Sequence, residues 1–242
     1  MKGSILSVAF AGVIGMTGAA YASAGEFIAR DTSDPLYLQA IEEIVSRSAI
    51  SYHDDILRFG QTLSYGINNR LTLGGNLNYQ HDFSGDNDGF SAVDLGGIYR
   101  LARASDNNSH VITDVIAGVK LGGSRHVRTP DFADSTFYAG LRFGRQWSAM
   151  TLAATIKSSW IFDDTRGMSY IDMTPEAYFR FMPEWRAGAN FTLRKATDSH
   201  YNEEWLGGKI VREFGRTQYV GHVDYEFEHE ETRVGAMVKI LF

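Results

Sequence analysis

Seven histidines are spread along the chain, at positions 53, 81, 110, 126, 200, 222 and 229. His53-Asp54-Asp55 and His81-Asp82 each set an imidazole beside a carboxylate, a combination that can polarise a water for hydrolysis. Ser199-His200 joins a hydroxyl to a base, but neighbours on an extended chain point to opposite faces. None of the seven has the H-x-H or H-E-x-x-H spacing that brings two imidazoles to one metal. The 242 residues include no cysteine, which excludes thiol nucleophiles, Cys-based metal sites and disulfides. The expectation is no metal, no cofactor and no covalent chemistry. Carboxylates near a rim more often bind divalent cations or are simply solvated.

A denser signal is charge at every second position. His222-x-Asp224-x-Glu226-x-Glu228 is an acidic ladder, and basic residues recur in the same phase in earlier segments. Such spacing requires extended chain, in which alternate side chains share a face. From about residue 44 to 242 the pattern is period two, broken every 9 to 15 residues by turn residues. In 71–79, Leu71, Leu73, Leu77 and Tyr79 oppose Thr72, Gly74, Asn76 and Asn78. Twelve strands are predicted: 44–52, 56–67, 71–81, 90–102, 110–121, 136–147, 151–162, 168–181, 185–195, 205–214, 218–228 and 232–242. Pro175 falls inside the eighth, where proline predicts a bulge or a misplaced strand.

Met1 to Ala24 has a basic start at Lys2, an apolar small-residue run and the Ala22-Ser23-Ala24 cleavage pattern, so 1–24 reads as an export leader removed before Gly25. Residues 25–43 are expected to be a periplasmic lead-in that either enters the pore or docks outside it, and 44–242 the folded domain. Mean hydropathy is −0.21, which leaves no room for helical spans. The 15 Phe, 12 Tyr and 4 Trp exclude a disordered chain, and the net charge of −6 argues against nucleic acid.

The predicted fold is all-β: an antiparallel, transmembrane, up-and-down β-barrel of about 12 strands (10 to 14). Strands of about ten residues match the 9 to 11 that a tilted transmembrane strand needs. Twelve strands with an inward face of Ala and Val would enclose a lumen too wide to fill, so the apolar face must point outward. Aromatics fall near strand ends (Tyr65, Tyr79, Tyr99, Phe137, Trp147, Trp160, Phe162, Phe181, Trp185, Tyr219, Phe227), as in interface girdles.

The terminal strand, Val238-Lys-Ile-Leu-Phe242, has a final aromatic preceded by apolar residues at every second position. It resembles the last strand of Gram-negative outer-membrane β-barrel proteins, which implies that the barrel assembly machinery reads it, with Phe242 as the assembly signal. Leu63 to Gly74 is similar to a strand–turn–strand hairpin common in outer-membrane transport proteins. The resemblance implies an outer-membrane location, with Phe242 at the periplasmic end and lipid and lipopolysaccharide as surroundings. Short connections at 68–70, 148–150 and 182–184 are then periplasmic turns, and the longer 84–89, 122–135 and 197–204 face outside. Arg125, His126 and Arg128 make one outer loop basic, suited to lipopolysaccharide phosphates or an anionic solute.

Alternation assigns a pore-lining set: Arg58, Arg100, Lys120, Arg142, Lys157, Arg180, Arg186, Arg194, Lys209 and Lys239, with Asp82, Asp94, Asp114, Asp172, Glu176, Glu213, His222, Asp224, Glu226 and Glu228. Opposed arcs of charge keep a lumen wet and orient polar solutes. Glycines at 60, 74, 96, 118, 140, 144, 188 and 208 are assigned to the same face and favour open space. The function expected is a passive, porin-like channel for small polar or charged solutes. Resemblance to acidic-oligosaccharide porins makes an anionic sugar the first solute. Two alternatives remain at this stage: a non-conducting structural or adhesive barrel filled by its own ion pairs, and a rim hydrolase. Proteases of the omptin kind carry a His–Asp pair at the outer rim, where His53 and His81 would lie, but the connections here are short for a substrate cleft.

Overall fold

The computed structural model describes residues 31–85, 87–103, 110–124, 127, 132–162, 169–197 and 202–242. The leader at 1–24, the loop cations Arg125, His126 and Arg128, and Ser199-His200 lie outside the described residues.

Thirteen strands follow in order among the described residues: β1 (Ile44–His53), β2 (Ile56–Asn68), β3 (Leu71–Asp82), β4 (Gly89–Phe90), β5 (Val93–Ala102), β6 (Ile112–Leu121), β7 (Thr136–Gln146), β8 (Met150–Ile161), β9 (Ser169–Met182), β10 (Trp185–Ala196), β11 (Asn202–Phe214), β12 (Thr217–Glu226) and β13 (Thr232–Leu241). Twelve are long. Each pairs antiparallel with the next, β3 reaching β5 past the two-residue β4. β1 pairs with β13, so the sheet closes on itself and leaves no edge.

The predicted strands match these within a few residues, with three corrections. The segment 90–102 divides at Ser91-Ala92, where the Ala92 amide leaves the ladder to donate to the Phe132 carbonyl at 2.9 Å. β11 begins at Asn202 rather than 205. Pro175 sits in register opposite Ala154 of β8, and the bulge falls instead at Trp185-Arg186. Towards β10 the ladder skips the rows around Pro175, which has no N–H to donate, and keeps its register on either side. Thr174 and Thr192 hydroxyls, 3.1 Å apart, bridge the gap.

The outer face is apolar. Leu63, Leu73, Leu95, Leu141, Ile156, Leu206, Ile210 and Val234 are all exposed there. A continuous apolar belt on strands of 10 to 14 residues is the surface a bilayer requires, and the closed ladder pairs the strand backbones except in the rows beside Pro175. Exposed aromatics collect towards both ends of the belt: Tyr65, Tyr99, Trp147 and Phe181 at the end that carries Phe242, and Phe90, Phe137, Trp160 and Phe227 at the other. Phe137 and Trp160 stack at 5.4 Å, while Arg145 and Arg212 cover Trp147 and Trp185 at 5.2 and 5.4 Å.

Residues 31–43 lie inside the barrel at the Phe242 end. Leu36 is buried with Ile112 and Ala153 of the wall. The segment then runs to β2, where the Glu42 amide donates to the Gly66 carbonyl (2.8 Å) and the Gly66 amide to Glu43 (2.9 Å). Gly66 is required by this approach: a Cβ there would sit 1.7 Å from the Ala40 carbonyl oxygen. The described part of the lead-in thus enters the barrel rather than docking outside it.

Candidate functional site in the barrel lumen

Inward phase on each strand carries Arg58, Arg100, Lys120, Arg142, Lys157, Arg186, Arg194, Lys209, His222, Asp224 and Lys239 to the interior, opposite the exposed apolar residues of the same strands. Arg180 has the same phase but stands exposed at the rim. Glu228 is corrected: β12 ends at Glu226, and Glu228 is an exposed residue of the following turn. Glu226 is buried, and its carboxylate accepts the backbone amides of Glu228 and His229 and approaches His229 Nδ1 at 3.0 Å, so it caps that turn. This hydrogen bond raises the His229 pKa above its ordinary 6.5. Gly208 is also corrected. Inward phase on β11 belongs to Gly207 and Lys209, and Gly208 faces out.

The charges pair around the wall rather than across it. Asp114, fully buried, accepts from Arg100 Nε (2.8 Å) on one side and Arg142 Nη2 (2.5 Å) on the other. Asp172 serves Arg194 (2.7 Å) and Lys157 (3.1 Å) in the same way. One carboxylate between two cations leaves the Asp114 group with a net positive charge, whereas Glu203, 3.6 Å from Arg194, balances the Asp172 group. Such pairs are available because antiparallel registers bring Asp114 opposite both Arg100 and Arg142, and Asp172 opposite both Lys157 and Arg194.

At the Phe242 end the remaining cations turn to segment 31–43. Asp31 pairs with buried Arg186 at 2.9 Å and accepts from the Tyr178 hydroxyl at 3.0 Å, while Glu213 takes Arg186 Nη2 at 2.8 Å. Thr32 and Ser33 hydroxyls both donate to Gln218 Oε1. Lys209 donates to the Ser33 carbonyl (3.1 Å) and pairs with Glu176 (2.5 Å). Arg100 also reaches the Leu36 carbonyl at 2.6 Å. Asp34 accepts from Thr151, Gln146 and the Leu36 amide, yet burial raises its carboxyl above the ordinary 3.8.

Between segment and wall is a cavity of about 430 Å³, bordered by Arg47, Arg142, Lys239, Asp94, Glu176, Tyr138, Asn76 and several Thr side chains. Arg47 and Lys239 are partners in the β1–β13 register. Lys239 Nζ donates to Ser33 Oγ (2.9 Å) and the Thr32 carbonyl (3.3 Å), and Arg47 Nε is buried with no hydrogen-bond partner among the described residues. No carboxylate forms an ion pair with either cation among the described residues.

The hydrolytic candidates lie at strand ends and in one turn. Asp54 and Asp55 both have positive φ (43° and 59°), as a two-residue hairpin turn of the right twist demands. Asp55 accepts the Tyr52 hydroxyl at 2.8 Å, and His53 is 3.9 Å from Glu231. Asp82 accepts the Ser84 amide and hydroxyl, while His81 lies on the outer face against Asp88 at 2.8 Å. Neither His–Asp neighbour pair forms a dyad. No group of three or more His, Asp and Glu suited to a metal occurs among the described residues.

No protein-family model and no curated protein matches the sequence. Solved structures do match the fold. A KdgM porin in complex with disordered oligogalacturonate aligns with a TM-score of 0.61 at 12% identity, over 82% of this chain and 98% of that one. An outer membrane channel from Pseudomonas putida F1 aligns at 0.62 and 11% identity, over 92% of this chain and 100% of that one. A NanC porin aligns at 0.59 and 8%, over 81% and 98%. The fold is that of the outer-membrane porins.

Sequence reasoning missed part of this porin-type lumen. Arg47, Glu203 and Arg233 also have inward phase, as do Tyr138, Tyr170, Tyr178 and Trp205. The cations lie over the rings: Arg233 on Trp205 (4.5 Å), Lys209 on Tyr178 (4.9 Å) and Arg194 on Tyr170 (5.2 Å). Some inward glycines, Gly96 and Gly118 above all, make room for such rings rather than for open space. A Cβ at Gly96 or Gly118 would lie 2.3 Å from the Tyr138 hydroxyl, which donates to Asp94 at 2.8 Å. Strand phase counted from Lys209 would have found Trp205. Arg47 gave less signal, because small and apolar residues occupy both faces of β1.

Proposed function

We propose that this chain is a passive outer-membrane channel for small anionic solutes, an anionic sugar foremost. One observation carries the reading: inside an apolar-walled barrel, the lumen groups two cations to one carboxylate at Asp114, and leaves Arg47 and Lys239 without one among the described residues. A wet lumen with that bias attracts a carboxylate and lets it exchange between neighbouring cations. The oligogalacturonate in a structure of the same fold supports the choice of solute. The pore-lining role falls to Arg58, Arg100, Lys120, Arg142, Lys157, Arg186, Arg194, Lys209, His222, Asp224 and Lys239, with Arg47 added.

The reading includes a leader over 1–24, assembly through the terminal strand and Phe242, and lipopolysaccharide around the outer aromatic band. It includes no covalent chemistry. Liposome swelling tests it: proteoliposomes should swell faster in iso-osmotic sodium glucuronate than in glucose. Equal rates, or no swelling in either, contradict it. The contacts of residues 31–43 favour a second reading, in which the same barrel is closed at rest.

A further inference from the structure

We infer that Asp31–Glu43 is a displaceable occupant of the lumen's basic face, and that a carboxylate-bearing solute bridging Arg47 and Lys239 takes Lys239 away from it. The inference rests on the channel reading above.

The segment makes the contacts that a short acidic sugar would make. It puts a carboxylate on Arg186, a hydroxyl oxygen under Lys239 Nζ, and carbonyl oxygens on Lys209 and Arg100. Its hold is mainly polar, with one small apolar cluster at Leu36, and polar local units of this kind open well below the global unfolding free energy. One end is fixed: the paired amides of Glu42 and Gly66 tie it to β2, and Glu42 has a left-handed φ of 64°, which makes this turn a defined pivot. Lys239 meets only neutral oxygens of the segment, Ser33 Oγ and the Thr32 carbonyl. A solute carboxylate in the adjoining cavity can accept from Arg47 and Lys239 together, a charge-assisted bridge stronger than the contact that Lys239 gives up. Binding there releases Ser33, and the segment swings about Glu42.

The absence of native cysteine makes a clean lock possible. Ser33 Oγ donates to Gln218 Oε1 at 2.7 Å, so Ser33→Cys with Gln218→Cys, joined through a short bis-methanethiosulfonate bridge that replaces the lost length of the glutamine side chain, is expected to tie the segment to β12. The bridged, disulfide-linked protein is the oxidised form. The full-length double variant is recorded in planar bilayers, oxidised and then reduced, with glucuronate or glucose added. The oxidised barrel should conduct about tenfold less than the reduced one, the scale of a modest population shift. In the reduced state glucuronate should raise conductance and glucose should not. Arg47→Gln with Lys239→Gln should abolish the glucuronate response and keep the response to reductant. Equal conductance of oxidised and reduced forms overturns the occupant, and a glucuronate response surviving Arg47→Gln/Lys239→Gln overturns the binding pair. If no state conducts, the channel reading itself fails. Heat-modifiable gel migration shows that each variant is folded. Asp31→Asn, which leaves Arg186 paired with Glu213, is an independent arm: it should raise resting conductance, and no change counts against the occupant.

Discussion

Replacing Gly66 with alanine should free the luminal segment without disturbing the barrel. The added Cβ would lie 1.7 Å from the Ala40 carbonyl oxygen and 2.7 Å from its carbon, both backbone atoms, so no rotamer change relieves the clash. The segment must retreat from β2 and lose the Glu42 amide to Gly66 carbonyl bond at 2.8 Å and the Gly66 amide to Glu43 bond at 2.9 Å. At roughly 0.5–1.5 kcal/mol for each net hydrogen bond, the loss is about 1–3 kcal/mol. That shifts a local closed–open equilibrium by about 5- to 150-fold. Ser33→Cys provides the probe, because Ser33 is only 3% exposed and no other thiol exists. In detergent-solubilised, folded protein, a membrane-impermeant maleimide should label the introduced thiol faster by that factor when Gly66→Ala is added. The β1–β2 ladder from Ile44 to His53 is untouched, so heat-modifiable migration should be unchanged. A labelling rate within about twofold of the Ser33→Cys parent, below the smallest shift expected, would refute the reasoning.

Three further outcomes follow from the wall. Asp114→Asn leaves two guanidinium groups around a buried neutral amide and should destabilise the barrel by about 3 kcal/mol, read as a lower urea midpoint in vesicles; a midpoint equal to wild type would contradict the shared-carboxylate account. Gly96→Ala drives a Cβ to 2.3 Å from the Tyr138 hydroxyl, within the wall, at a cost of about 1–3 kcal/mol, and Tyr138→Ala should suppress most of that cost in a double-mutant cycle; additive effects would show that the ring does not lie on that glycine. In the 83–88 loop, Asp88 is held below its ordinary 3.8 by the Asp82 amide and by His81, so its contribution is present above 3.8 and is lost as pH falls through the depressed folded value. Hydrogen exchange at the Asp82 amide should lose protection there, and Asp88→Asn should remove the pH dependence.

The fold was legible because a membrane strand writes both faces into its sequence. Leu71, Leu73, Leu77 and Tyr79 against Thr72, Gly74, Asn76 and Asn78 fixes strand, phase and surroundings together, and the same contrast recurs to Phe242. Charge positions followed from that phase wherever both neighbours were clear, as for Arg142 and Asp172. Legibility failed where phase is lost. Glu228 follows the ladder in sequence, but the chain has already turned at Glu226, and Gly208 stands one place off the phase of Lys209. Pairing could not be read at all, since opposition of Asp114 to Arg100 and Arg142 depends on register between strands. The luminal position of 31–43 was equally hidden. Its hold comes from single contacts with residues far along the chain, such as Asp31 with Arg186 and Asp34 with Thr151, and no local pattern records them.

The central claim is that the charged lumen passes anions, and ion selectivity of the purified wild-type barrel tests it most directly. Single-channel recordings in a planar bilayer, under a potassium chloride gradient with glucuronate added, should show discrete steps. Their reversal potential should lie on the chloride side of zero, and Arg47→Gln with Lys239→Gln should move it towards potassium. A folded, heat-modifiable protein that shows no steps, or steps that favour potassium in the wild type, would contradict the account.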